Sequence, residues 1–192
     1  MHKLIRVLAT AIAFCAAPFG YAATLNFDTP SVITIDNTSN QALYQEAGFN
    51  LTGNAAAFLT IDGIGSGRTG GLALFAGNTV SLTVSNGGRF SFLGLDAGLL
   101  APASMGALTI TGIFDDNSQR ATVLTLSALG PLPLTAWTGL SGLRFSGNSD
   151  LVLDNVMVSV SPVPEPDSVA MFLLGIASLV IIRRVRHEKS RY

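Results

Sequence analysis

Thr79-Val80-Ser81-Leu82-Thr83-Val84, followed by Asn86-Gly87-Gly88 and then by Phe90-Ser91-Phe92, is the stretch that decides the fold. Val80, Leu82 and Val84 alternate with hydroxyl residues, and that period of two gives a strand one apolar and one wet face. Asn86 and Gly87 tolerate the positive φ that a tight hairpin turn demands, so the stretch reads as two strands and the turn between them. Leu108-Thr109-Ile110-Thr111 repeats the alternation. Further strands are predicted at 25–27, 32–35, 49–52, 58–61, 72–75, 90–95, 123–126, 143–145 and 151–160, separated by Gly, Asn, Asp and Ser. No segment between residues 23 and 161 keeps helical spacing. The expected domain is therefore all-β, a single β-sandwich, jelly-roll-like rather than immunoglobulin-like.

The last of these strands changes phase. Leu151 and Leu153 fall on odd positions, whereas Val156, Val158 and Val160 fall on even ones, so the alternation slips at Asp154-Asn155. A β-bulge there would keep both halves facing the core. Asp154 is on that account a candidate calcium ligand, with a simpler role beside it: accepting backbone hydrogen bonds that the bulge frees.

The missing residue types narrow the chemistry. Residues 23–161 contain no His, no Cys and no Lys, because His2, Cys15 and Lys3 lie before them and His187 and Lys189 after. This removes serine-histidine and cysteine-histidine nucleophiles, Schiff-base chemistry, zinc sites of the usual composition and disulfides. Carboxylate pairs, as in glycoside hydrolysis, remain. The nine acids are scattered, and most sit where turns already explain them. A non-enzymatic domain is expected, with glycoside hydrolysis as the catalytic alternative. Against nine acids stand only Arg68, Arg89, Arg120 and Arg144, a formal charge of −5 that disfavours nucleic acid.

Asp115-Asp116-Asn117-Ser118 has the oxygen density of a calcium loop but lacks EF-hand spacing, so a hairpin turn is the preferred reading. Phe27, Phe49, Phe58, Phe75, Phe90, Phe92, Phe114 and Phe145 are core-type residues. Trp137 and Tyr44 are the aromatics with a polar handle, and Trp137 is the candidate ligand contact should the domain be a carbohydrate-binding module.

The two ends address the protein. Lys3 and Arg6, the apolar run 7–14 and the small-x-small site Gly20-Tyr21-Ala22 read as a secretory signal peptide, residues 1–22. At the other end, residues 162–192, Pro164-Glu165-Pro166 precludes helix upstream of Asp167. An apolar helix follows at 168–182, and a basic cluster at 183–191 holds Arg183, Arg184 and Arg186. The positive-inside bias keeps that cluster cytoplasmic and the domain outside. About fifteen residues span roughly 22 Å against a hydrocarbon core of about 30 Å, which makes a weak anchor.

This order of kinked motif, apolar helix and basic stop resembles the PEP-CTERM sorting signal of exopolysaccharide-producing Gram-negative bacteria. The resemblance implies an exosortase, a membrane enzyme acting in trans, that cuts near Pro164-Glu165-Pro166. It also implies release from the inner membrane toward the cell surface, and association with extracellular polysaccharide or biofilm. Leu153-Asp154-Asn155-Val156 is similar to the closing strand of many ectodomains of that family.

Overall fold

The alternation in Thr79–Val84 survives in three dimensions, with Val80, Leu82 and Val84 buried and Thr79 exposed. The computed structural model describes residues 21–28, 33–63, 70–101 and 105–160, and every regular element among them is a strand. In chain order these are β1 (Tyr21–Leu25), β2 (Thr34–Asp36), β3 (Gln41–Glu46), β4 (Phe49–Asn54), β5 (Phe58–Asp62), β6 (Gly70–Leu74) and β7 (Thr79–Val84). They continue as β8 (Phe90–Leu99), β9 (Gly106–Phe114), β10 (Gln119–Leu126), β11 (Gly130–Pro131), β12 (Trp137–Gly147) and β13 (Leu151–Val160). Residues 1–20, Pro164-Glu165-Pro166, the apolar run 168–182 and Arg183, Arg184 and Arg186 lie outside the described residues.

All pairings are antiparallel, and the strands join in one sheet, β2-β3-β4-β7-β12-β8-β13-β6-β5. Beside this path β1 pairs with β13, β9 and β10 continue beyond β12, and β11 lies along β8. The expected sandwich is thus a curled sheet rather than two separate ones. The reason is β12, whose eleven residues outrun a single set of neighbours. Its start pairs with β8 at Trp137↔Phe92, and its remainder pairs with β7 and β9 around Leu143.

One apolar cluster fills the curl. Phe49 of β4 meets Phe90 of β8 edge-on at 5.4 Å, and Phe92 meets Phe145 at 6.3 Å. Burying each such ring contributes about 1.5–3 kcal/mol. All the predicted core Phe are buried except Phe75 and Phe114, which are half-buried. β6 is buried along its whole length, and the chain at Phe27 packs so closely on its first residue that a Cβ at Gly70 would sit 2.5 Å from the Phe27 carbonyl oxygen.

The phase slip in β13 is where the residues placed it. Its register with β8 shifts between Asp154 and Met157, and Asn155 takes φ 47°. Leu151, Leu153, Val156, Val158 and Val160 consequently all face the core. β3 was not among the predicted strands. Gln41-Ala42-Leu43-Tyr44-Gln45-Glu46 lacks β-branched residues, and its turn to β4 is Ala47-Gly48 rather than an Asn-Gly pair. Ala47 at φ 48° and Gly48 at φ 79° nevertheless form a tight two-residue hairpin of the kind that matches strand twist.

β3 carries the contact that holds the curl shut. The Glu46 carboxylate accepts the backbone N–H of Asn26 at 3.3 Å and of Phe27 at 3.2 Å, and the Tyr44 hydroxyl at 2.8 Å. Asn26 and Phe27 follow β1, so these bonds tie the β13 side of the sheet to its β3 side. They also hold Phe27 at φ 55°, a conformation that costs a bulky residue about 1–2 kcal/mol. Its ring then packs against Tyr44 at 5.4 Å. Tyr44, the other aromatic with a polar handle, is 1% exposed, its hydroxyl satisfied inside by Glu46.

Glu46→Ala is expected to lower unfolding stability by about 2–4 kcal/mol, since two backbone donors and a hydroxyl lose a charged acceptor. Tyr44→Phe, which removes one bond, costs about 1 kcal/mol. Urea denaturation followed by circular dichroism separates the two, and equal small losses would mean that Glu46 does not hold the seam.

Candidate functional site

Three groups of polar side chains emerge where the sequence placed candidates, and they differ in what they can do. The first is the β13 bulge. There the Asn155 backbone N–H donates to Asp154 Oδ1 at 2.7 Å, and the Asn155 side-chain amide donates to Asp96 Oδ2 at 2.8 Å and to Asp154 Oδ2 at 3.5 Å. Asp96 comes from β8 directly across the ladder, a neighbour that the sequence alone did not connect to Asp154. Asp154 is 4% exposed. The Asn155 side-chain amide thus bridges the two carboxylates, each of which accepts a hydrogen bond from it. Among the described residues no group of three or more acidic, histidine or cysteine side chains is placed to hold a metal ion.

The second group is the β9–β10 turn. Asp115 forms an ion pair with Arg89, Asp116 accepts the Ser118 backbone N–H at 2.9 Å, and Asn117 takes φ 61°. The same architecture recurs before β3, where the Ser39 hydroxyl donates to Asp36 at 2.7 Å and the Thr38 N–H donates at 2.8 Å. Their carboxylates are occupied as turn acceptors. The hydrogen bond from the Ser118 side chain, then that from its backbone, holds the Asp116 carboxyl below its usual range, and the Ser39 hydroxyl does the same for Asp36.

The third group surrounds Trp137. Its ring lies against Gly112 of β9, where a Cβ would come within 2.8 Å of the indole, and meets Phe92 edge-on at 6.3 Å. Arg120, opposite Gly112 on β10, lays its guanidinium over the ring at 5.5 Å from the centroid. Trp137 is 5% exposed beneath an arginine that is itself exposed. The indole therefore offers no open face, and the side chain covering it is long and solvent-facing. A cation on an aromatic face of this kind is worth about 0.5–1 kcal/mol at an exposed site, little enough for a competing ligand to displace. The sequence singled out Trp137 but not Arg120 or Gly112. Only the strand register shows that these three share one place.

On the outer face, the register aligns Thr52, Ser81, Arg144 and Thr111 across four neighbouring strands. Arg144 is exposed in the middle of this hydroxyl row, and its strand neighbours are short enough to leave it accessible.

No family model matches the chain, and no curated protein matches it. Solved structures do. The CBM22-1–CBM22-2 tandem domain of Paenibacillus barcinonensis Xyn10C aligns at a TM-score of 0.46 and 12% identity, covering 77% of this chain and 48% of that one. This chain thus spans about half the length of the tandem. The single CBM22-1 xylan-binding domain of the same protein aligns at 0.43 and 13% identity, over 77% of this chain and 99% of its own. A family 11 carbohydrate-binding module from Clostridium thermocellum, in complex with a β-1,3-1,4-mixed-linked tetrasaccharide, aligns at 0.33 and 12% identity, over 78% and 99%. At these values the likeness lies in the arrangement of strands and assigns no ligand.

Two measurements check the site. Trp137 is the chain's single tryptophan, so Arg120→Ala is expected to shift its fluorescence emission to the red and to raise acrylamide quenching. An unchanged spectrum would mean that Arg120 does not cover the ring. Asp36 and Asp116 titrate lower folded than unfolded, so their turn bonds contribute fully above the ordinary value of 3.8 and are lost as pH falls through the folded-state value. Replacing both with Asn should therefore flatten the fall in melting temperature below about pH 4. A slope identical to that of the native chain would contradict the assignment.

Proposed function

We propose that this chain is an exported, non-catalytic surface module that holds extracellular polysaccharide, and that its carboxy-terminal tail is a sorting signal cut in trans by an exosortase. The single observation that carries the polysaccharide reading is Arg120 lying over Trp137. An indole face covered by an exposed guanidinium becomes a stacking surface when the arginine swings aside, and the guanidinium then donates to sugar hydroxyls at its rim. The reading as a binder rather than a hydrolase draws on the Asn155 amide bridging Asp96 and Asp154 and on the lack of His, Cys and Lys in residues 23–161. The export reading draws on the residues at the two ends.

A panel of soluble β-linked xylans, mixed-linkage glucans and bacterial exopolysaccharides, titrated against tryptophan fluorescence, tests the binding. The expected result is a saturable change for at least one polysaccharide, lost in Trp137→Ala and retained in Arg144→Ala, with no reducing sugar released. Release of sugar would restore the hydrolase reading. Silence across the panel, with the protein folded, would remove the carbohydrate.

Mass spectrometry of the surface-exposed protein tests the sorting. A new carboxy terminus near residues 163–168 is expected, and Glu165→Ala should leave uncut precursor in the membrane fraction. Mature surface protein still ending at Tyr192 would turn the tail into a simple anchor.

A further inference from the structure

Every sheet that does not close has edges, and an edge left flat and uncharged pairs with whatever strand arrives. In this molecule most edges are short or blunted: β2 has three residues and carries Asp36, β11 has two and carries Pro131, and β5 has five and ends in Asp62. β10 is different. Its eight residues pair with β9 in unbroken register, from Gln119↔Ile113 to Leu126↔Gly106. Among the described residues β9 is its only strand partner, and its other side receives no backbone hydrogen bond before Ser127, whose carbonyl accepts the Leu99 N–H just past the strand's end. Gln119-Arg120-Ala121-Thr122-Val123-Leu124-Thr125-Leu126 contains no proline, no glycine, no acid and no lysine. Its one charge, Arg120, is turned over Trp137 rather than across the edge. Val123, on the outward face, is 65% exposed.

We propose that the free edge of β10 pairs antiparallel with β10 of a second copy of this chain, with Val123 opposite Val123 at the centre. Between two β10 strands, the position of the charge sets the direction. Centred on Val123, Arg120 of one copy falls opposite Leu126 of the other, so the two guanidinium-bearing positions are about 20 Å apart along the strands. A parallel pairing would set Arg120 directly against Arg120. The antiparallel register also places Ala121 opposite Thr125 on each side of the central valines, a small and β-branched row with no charge and no bulge to interrupt it. The strand is thus its own complement in length, charge and face. Pairing extends the β12-β9-β10 wing into a sheet continuous through the twofold axis, an isologous contact that closes on itself. It also leaves the two Arg120–Trp137 pairs near opposite ends of the shared seam.

The register can be read by cross-linking. The full chain, with Cys15→Ser removing its only native thiol, is purified in detergent micelles and followed by sedimentation velocity and by mild oxidation. A concentration-dependent dimer is expected. Val123→Cys alone should oxidise to a covalent dimer, because opposed Cβ atoms in an antiparallel pair lie about 4.5–5.5 Å apart. Ala121→Cys alone should not, whereas a mixture of Ala121→Cys and Thr125→Cys chains should. Val123→Lys, on an exposed position that leaves the core intact, should raise the dissociation constant about tenfold or more by setting like charges opposite each other. A chain that stays monomeric at all concentrations overturns the proposal. So does a dimer that is indifferent to Val123→Lys, or one cross-linked as well through Ala121→Cys alone as through Val123→Cys, since contacts elsewhere would then be responsible.

Discussion

The Glu46 carboxylate, accepting two backbone donors and a tyrosine hydroxyl, is the interaction on which the shape of this domain depends. A sheet of thirteen strands that curls through β12 must still be held where its two sides meet, and here they meet without a ladder between them. A single charged acceptor replaces that ladder. It serves groups that would otherwise be orphaned where the chain leaves β1 and packs on β6, and the cost of orphaning buried donors is what makes such a clasp effective. Tyr44 joins it from below, so the aromatic that fills the seam and the carboxylate that seals it are held by one hydrogen bond. The strain at Phe27 fits the same picture: the residue keeps its left-handed backbone because its N–H and its ring are both anchored.

The bulge in β13 and the glycine in β9 do for the interior what Glu46 does for the seam. Without the slip at Asp154-Asn155, half of β13 would turn its valines to solvent, and the strand could not serve β8, β6 and β1 together. Without Gly112, a Cβ would press on the Trp137 indole and force it off its place beside Phe92. Both devices are local departures from strand regularity that permit a global closure. Both also leave polar chemistry nearby, the Asp96–Asn155–Asp154 hydrogen bonds in one case and the Arg120 cover in the other.

Much of this was legible in the residues. Val80, Leu82 and Val84 announce their strand, Leu151 to Val160 announces both a strand and its fault, and the phenylalanines announce the core, because a period of two and a change of phase are properties of the chain itself. β3 was hidden, since Gln41 to Glu46 has a composition equally at home in a helix and Ala47-Gly48 is an uncommon hairpin pair. Its strand character comes from pairing with β4 across six registered residues, a tertiary fact. The site was half legible. Trp137 stood out as a lone amphipathic aromatic, whereas Arg120 is seventeen residues away in sequence and comes over the ring only through the β9–β10 and β9–β12 registers. The curl was likewise beyond reach, because nothing in the sequence of β12 says that it has three neighbours.

The chain leaves this domain through β13, and β13 is not an edge. It is flanked by β8 along its length and by β6 and β1 on the other side, so its ten residues are among the most embedded in the sheet. Tension applied at Val160 and resisted elsewhere in the domain would therefore run along the strand axis and load many ladder bonds at once, rather than peeling them singly. Resistance of that kind is governed by the rate of forced unfolding rather than by equilibrium stability. A domain loaded at this end would resist unfolding under flow or drag longer than its melting temperature suggests.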